Sequence, residues 1–210
     1  MRLFFPCWTK LFATLFISLV AMQATAGEPF ADIDKFIELL APHAGRYPPQ
    51  FDSAQQKAAM VKGLKDVLAT MEVGPKQVRG GRESLLRYAF LNSMGHNLDL
   101  EGCSERTIGA YEELLRLDPN DKRANFYYGS FLVGTKLIST SVPYLQKAIE
   151  LGATEANYSL GFAYLSHKRN NDALTAFRKY LEYDPENATA KMMIARIENG
   201  DAALNFNVSD

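Results

Sequence analysis

Gly95, Gly129 and Gly161 stand 34 and 32 residues apart, and the bulky residues Tyr111, Leu145 and Phe177 repeat the same two intervals. Pro119 and Pro185, 66 residues apart, span the same two intervals together. The markers agree on a period and on a two-residue deletion between Leu151 and Glu155, where Gly152-Ala153 replaces the Asp118-Pro119-Asn120 turn. Between the markers, apolar residues recur at helical spacing, and alternating stretches of Val, Ile and Thr bounded by turns are missing. The chain therefore reads as all-α. A period of this length builds repeated helical units that bury their apolar faces only by stacking on one another.

The clearest copy, residues 154–187, carries Leu160-Gly161, Tyr164, Ala173, Phe177 and Pro185. This pattern resembles the tetratricopeptide repeat. Asn157 stands where that family prefers Trp, and Tyr180 where it prefers Ala. The copy at 88–121 keeps Gly95, Tyr111 and Pro119 but has Leu98 for Tyr and Thr107 for Ala, and the copy at 122–153 keeps Gly129 and Ala148 with Ser141 for Ala. The resemblance implies a right-handed α-solenoid of about three helix–turn–helix repeats, closed by a capping helix over 188–199 that Asn187 starts, with a flexible tail from 201. In such repeats Gly161 and its equivalents, with Ala148 and Ala173, let paired helices approach closely. Tyr164 and Phe177 then fill the space between repeats, and Pro119 and Pro185 end one unit and begin the turn to the next.

The N-terminal part has a different character. Arg2 and Lys10 flank an apolar run over residues 11–22, and Ala24-Thr25-Ala26 precedes Gly27, which is the pattern of a cleaved secretory signal peptide over residues 1–26. The run is too short for the roughly 20 apolar residues that cross a bilayer. Cleavage would leave 184 residues with net charge −3 and a single cysteine, Cys103, so no internal disulfide is expected. The expected destination is export, with a bacterial periplasm as the best fit. Residues 27–87 read as a helical extension: one helix over 30–40, ending before Pro42; a Pro-rich loop over 42–51; and a longer helix over 53–72 started by Asp52 or Ser53. The longer helix places Met60, Val61, Leu64, Val67, Leu68 and Met71 on one face. Gly74-Pro75 ends it, and Gly80-Gly81 marks a loose connection. Whether these helices extend the array or fold across its groove stays open on sequence alone.

The family resemblance implies that the first helix of each repeat lines a concave binding face. Carried over position by position, that face consists of Asn92, Ser93 and His96, then Phe126, Tyr127 and Ser130, then Tyr158, Ser159 and Phe162, with Met192, Met193 and Arg196 from the capping helix. Such a groove is aromatic in the middle and suits an extended or helical peptide, since rigid aromatics give contact area at small entropy cost. Of the Lys and Asn residues that clamp an acidic chain terminus in some members, only Asn92 is matched.

Charge and motifs exclude other classes. A formal net charge of −1 gives no long-range attraction for phosphate, so nucleic acid is not an expected partner. Phosphate loops, nucleophile elbows, His-Glu-x-x-His and Cys-x-x-Cys are all missing, so neither an enzyme nor a cofactor is expected. His96, Asp99, Glu101, Cys103 and Glu105 cluster in sequence, but a polar turn between two helices accounts for them. Cys103 is expected to be buried, and His43 and His167 to be solvated. The functional expectation is an exported scaffold that holds a protein or peptide segment and supports assembly or tethering of an envelope complex. The alternative is a structural or regulatory subunit that docks through its N-terminal helices or associates with itself as a homo-oligomer.

Overall fold

The repeat glycines sit where helices touch. In the computed structural model, which describes residues 30–73, 81–135 and 137–201, a Cβ on Gly161 would lie 2.6 Å from the Phe177 ring, and one on Gly129 would lie 2.7 Å from Leu145. A Cβ on Gly95 would lie 2.5 Å from Cys103 Sγ. No side chain fits in these gaps, so each glycine fixes how closely its hairpin closes. The first hairpin departs from the other two, because Cys103 takes the place facing the glycine and Tyr111 is left to point elsewhere.

Nine α-helices make up the described residues: α1 (Ala31–Ala44), α2 (Ala54–Val73), α3 (Arg82–Asn97), α4 (Cys103–Leu117), α5 (Lys122–Val133), α6 (Ser141–Glu150), α7 (Ala156–Ser166), α8 (Asn170–Tyr183) and α9 (Ala188–Glu198), with a short 3₁₀ turn (Ile138–Thr140) before α6. Helices α3/α4, α5/α6 and α7/α8 form the three expected hairpins, and α3, α5 and α7 lie side by side as one layer. Phe177, Leu145, Ala173 and Ala148 are fully buried between helices, as their spacing requires. The Asp121 side chain accepts a hydrogen bond from Ala124 N–H (2.9 Å) to start α5, and Asn187 does the same for α9 through Ala190 N–H (3.0 Å). Helix α9 packs on α8 with Ala190, Met193 and Ile197 buried.

The N-terminal helices continue this stack. Leu40 from α1, Leu64 and Leu68 from α2, and Leu91 and Met94 from α3 share one core. Helix α2 begins with a reciprocal cap: Ser53 Oγ accepts from Gln56 N–H at 3.1 Å, while Gln56 Oε1 accepts from Asp52 N–H at 2.7 Å. Arg87 on α3 grips Asp34 on α1 with two hydrogen bonds of 2.7 and 2.8 Å.

Three expectations need correction. Helix α1 does not stop before Pro42 but runs through it to Ala44. Burial of Ala44 and a hydrogen bond from Asn97 Nδ2 to its carbonyl (2.8 Å) hold the final turn despite the proline. Residue 88, expected to open the array, lies inside α3, whose added first turn is anchored by Arg82 to Asp118 and Asp121, both at 2.7 Å. His43 is not simply solvated: it stacks on Phe51 and its Nδ1 lies 2.9 Å from Gln50 O. The candidate signal peptide, Gly74-Pro75, Gly80 and the tail beyond Asp201 lie outside the described residues. No described helix is long and apolar enough to cross a membrane.

Candidate peptide-binding cavity

The layer formed by α3, α5 and α7 bounds a cavity of about 560 Å³. Such volumes fall in the range, roughly 300–1,000 Å³, of ligand-binding clefts. Helix α3 contributes Ser93 and His96, α5 contributes Phe126, Tyr127 and Ser130, and α7 contributes Tyr158, Ser159 and Phe162. Phe90 and Tyr127 meet with ring centroids 5.2 Å apart, Phe126 and Tyr127 at 5.1 Å, Tyr158 and Phe162 at 5.1 Å, and His96 meets Phe131 edge-on at 5.3 Å. Ser130 and Ser159 hydroxyls lie 3.0 Å apart across the α5–α7 seam. The wall is thus a run of tilted rings with one polar pair at its centre.

The family model for the tetratricopeptide repeat matches residues 158–204, which span most of the third hairpin and the capping helix. The chain is a tetratricopeptide repeat protein. Its fold is similar to that of the MamA RS-1 ArsTM double mutant, with a TM-score of 0.53 at 18% identity over 80% of this chain and 84% of that one. It is also similar to a thermophilic repeat protein of Thermus thermophilus, with a TM-score of 0.52 at 14% identity over 81% and 92% of the two chains. At these identities the likeness is one of fold. Among curated proteins, the mouse aspartyl/asparaginyl β-hydroxylase is 39% identical over 61 residues, and the human one 38%. The matched stretch is 29% of this chain and 8% of each relative's length.

Not every expected groove residue of the repeat array reaches the cavity. Asn92 is fully buried inside the first repeat, where its Nδ2 donates to Tyr88 O (2.9 Å) and its Oδ1 accepts from Arg106 Nε (2.8 Å). Removing that bridge would strand a buried polar group, so Asn92 holds α3 to α4 rather than facing a ligand. In α9, Met193 is buried against the core, Met192 is 51% exposed and Arg196 pairs with Asp201 at 3.5 Å. None of these three lines the cavity.

Other residues join it. Arg46 and Tyr47, from the loop after α1, lie along one wall, so the N-terminal unit extends the stack with its helices and reaches the groove with its loop. Arg46 makes no ion pair or hydrogen bond with another described residue. It lies near enough to Tyr180 to counteract, in part, the rise in that phenol's pKa caused first by burial and then by Asp184. Tyr111, released from the Gly95 contact, stacks on Tyr128 at 5.5 Å and lines the cavity from behind the first-helix layer. Its hydroxyl is buried without a hydrogen-bond partner, and burial pushes its pKa far up, so it stays a neutral donor.

The polar cluster near residue 100 does not converge. Cys103 is buried against Gly95, its Sγ accepts a hydrogen bond from Arg106 at 3.2 Å, and burial raises its thiol pKa. Among the described residues no group of three His, Cys, Asp or Glu side chains is placed to hold a metal.

Proposed function

We propose that this protein is an exported interaction scaffold whose concave cavity holds an extended segment of a protein partner and helps assemble or tether an envelope complex. The observation that carries this reading is the aromatic wall of α3, α5 and α7 around the Ser130–Ser159 pair. Rigid rings supply contact area, and hydroxyls beside them supply hydrogen bonds to a peptide backbone. Export rests on the sequence of residues 1–26. Docking through the N-terminal helices has less support, because Leu40, Leu64, Leu68 and Met71 are already buried in the core they share with α3.

Arg46 and Tyr47 are both exposed, so changing them leaves the packing intact. Affinity capture with Arg46→Glu/Tyr47→Ser from an envelope extract of the native host should lose the partners that the unaltered chain retains. An unchanged partner set would reject the cavity as the binding site.

A further inference from the structure

Tyr111 carries an unmet requirement. A buried hydroxyl without a partner is a cost that native proteins rarely tolerate without use. This one belongs to a side chain with 0% exposure that nonetheless lines the cavity. Arg46, an exposed guanidinium with no carboxylate beside it, stands on the wall of the same cavity. An occupant that satisfies both offers a hydrogen-bond acceptor at the cavity floor, apolar side chains against the rings and an acidic group at the rim.

A segment of this chain has that composition. Residues 202–210 read Ala-Ala-Leu-Asn-Phe-Asn-Val-Ser-Asp, so Leu204, Phe206 and Val208 alternate with Asn205, Asn207 and Ser209, and Asp210 is the one charge. Alternation of this kind puts the apolar side chains on one face of an extended strand and the carboxamides on the other. The topology brings the segment to the right place. Each hairpin reverses direction, so α3, α5, α7 and α9 run the same way, and the chain leaves α9 at the end of the molecule where His96, Phe131 and Gly134 border the cavity. Packed helix axes lie roughly 8–10 Å apart. Nine extended residues reach at most about 30 Å, enough to pass from α9 over α7.

We infer that residues 202–210 occupy the chain's own cavity, with Leu204, Phe206 and Val208 on the aromatic wall, Tyr111 donating to a backbone or Asn carbonyl, and Asp210 facing Arg46. An outside partner then enters by displacing this segment, and the segment's alternation and acidic group describe the class of sequence that competes for the site. The inference rests on the cavity being a peptide site. Tethering raises the local concentration of the tail to the millimolar range for short linkers, so a weak contact suffices to hold it and a stronger partner can still replace it.

The test uses the full chain and a fluorescent peptide of residues 202–210, read by anisotropy. In Leu204→Ser/Phe206→Ser/Val208→Ser the tail no longer competes, and this variant should bind the peptide at least tenfold tighter than the unaltered chain. Adding Tyr111→Phe or Arg46→Glu to it should weaken binding threefold or more without lowering the melting temperature. Equal affinity for the unaltered and triple-serine chains would overturn the inference, as would no binding to either or binding indifferent to Tyr111 and Arg46. Self-association of the unaltered chain that the triple change abolishes would place the tail in a second copy and overturn the intramolecular form. A peptide that fails to bind leaves the cavity's claim on outside partners to the Arg46/Tyr47 capture experiment, so the two failures are distinguishable.

Discussion

Among single residues, the glycines give the sharpest contrast. At Gly161 an added methyl group meets three Phe177 atoms between 2.6 and 2.8 Å away, so Gly161→Ala should destabilise the protein by about 1–3 kcal/mol through overpacking. Gly109 lies within α4 and is exposed, and a Cβ there meets nothing within 4 Å. Gly109→Ala should stabilise by about 0.5–1 kcal/mol, since alanine restricts the unfolded chain and favours helix. Urea unfolding of both variants checks the pair. The spacing of Gly95, Gly129 and Gly161 was legible in the sequence because close approach leaves only one residue type. Asn92 was not: its repeat position faces a groove in the family, and nothing in the sequence shows Arg106 reaching back to claim its carbonyl. Asn92→Ala should accordingly cost about 1–3 kcal/mol in stability and leave partner capture unchanged.

Among elements, the junction of α1, α3 and α5 is held by charge. Glu83 is bound by Arg123 and Arg87, and Arg82 bridges Asp118 and Asp121. The Arg123 hydrogen bond, aided by Arg87, outweighs desolvation and holds the Glu83 carboxyl below its ordinary value. At Asp121 burial works to raise the pKa, but the Ala124 N–H and Arg82 outweigh it and the net shift is downward. A carboxyl whose folded pKa is depressed stabilises the protein above its unfolded pKa, and that contribution is lost as pH falls through the folded value. Stability should therefore drop as pH falls below about 4, near the ordinary carboxylate range. Asp121→Asn should keep the α5 cap while making the drop shallower, as thermal melts between neutral and acid pH would show. This network was invisible in the sequence because its partners come from elements far apart in the chain, such as Arg87 and Asp34. The Pro42 boundary failed for a related reason: local propensity said stop, and the contacts of Ala44 and Asn97 carried the helix one turn further.

For the whole molecule, the repeat period made the three hairpins and the cap readable, since each unit restates the same rule. The N-terminal unit carries no such period, so its place in the stack depended on packing that only the structure displays. Leu40 and Leu64 are fully buried in the core they share with α3. Leu64→Ala should cost about 2–5 kcal/mol, and because neighbouring units of an array stabilise one another, the loss should appear in hydrogen exchange of α3 as well as α2. The cavity was half legible: the rings of α5 and α7 followed from repeat positions, whereas Arg46, Tyr47 and Tyr111 came from a loop and a second helix that repeat numbering does not assign to the groove. The account stands on partner binding at this concave face. The most direct measurement is site-specific photocrosslinking in the native host, with a benzophenone amino acid at Ser130 or Ser159 in the cavity and, as a control, at the exposed Arg178 on α8. The account predicts a discrete partner adduct from positions 130 and 159 that is lacking at 178. Adducts at 178 alone, or the same adduct at all three positions, would contradict it.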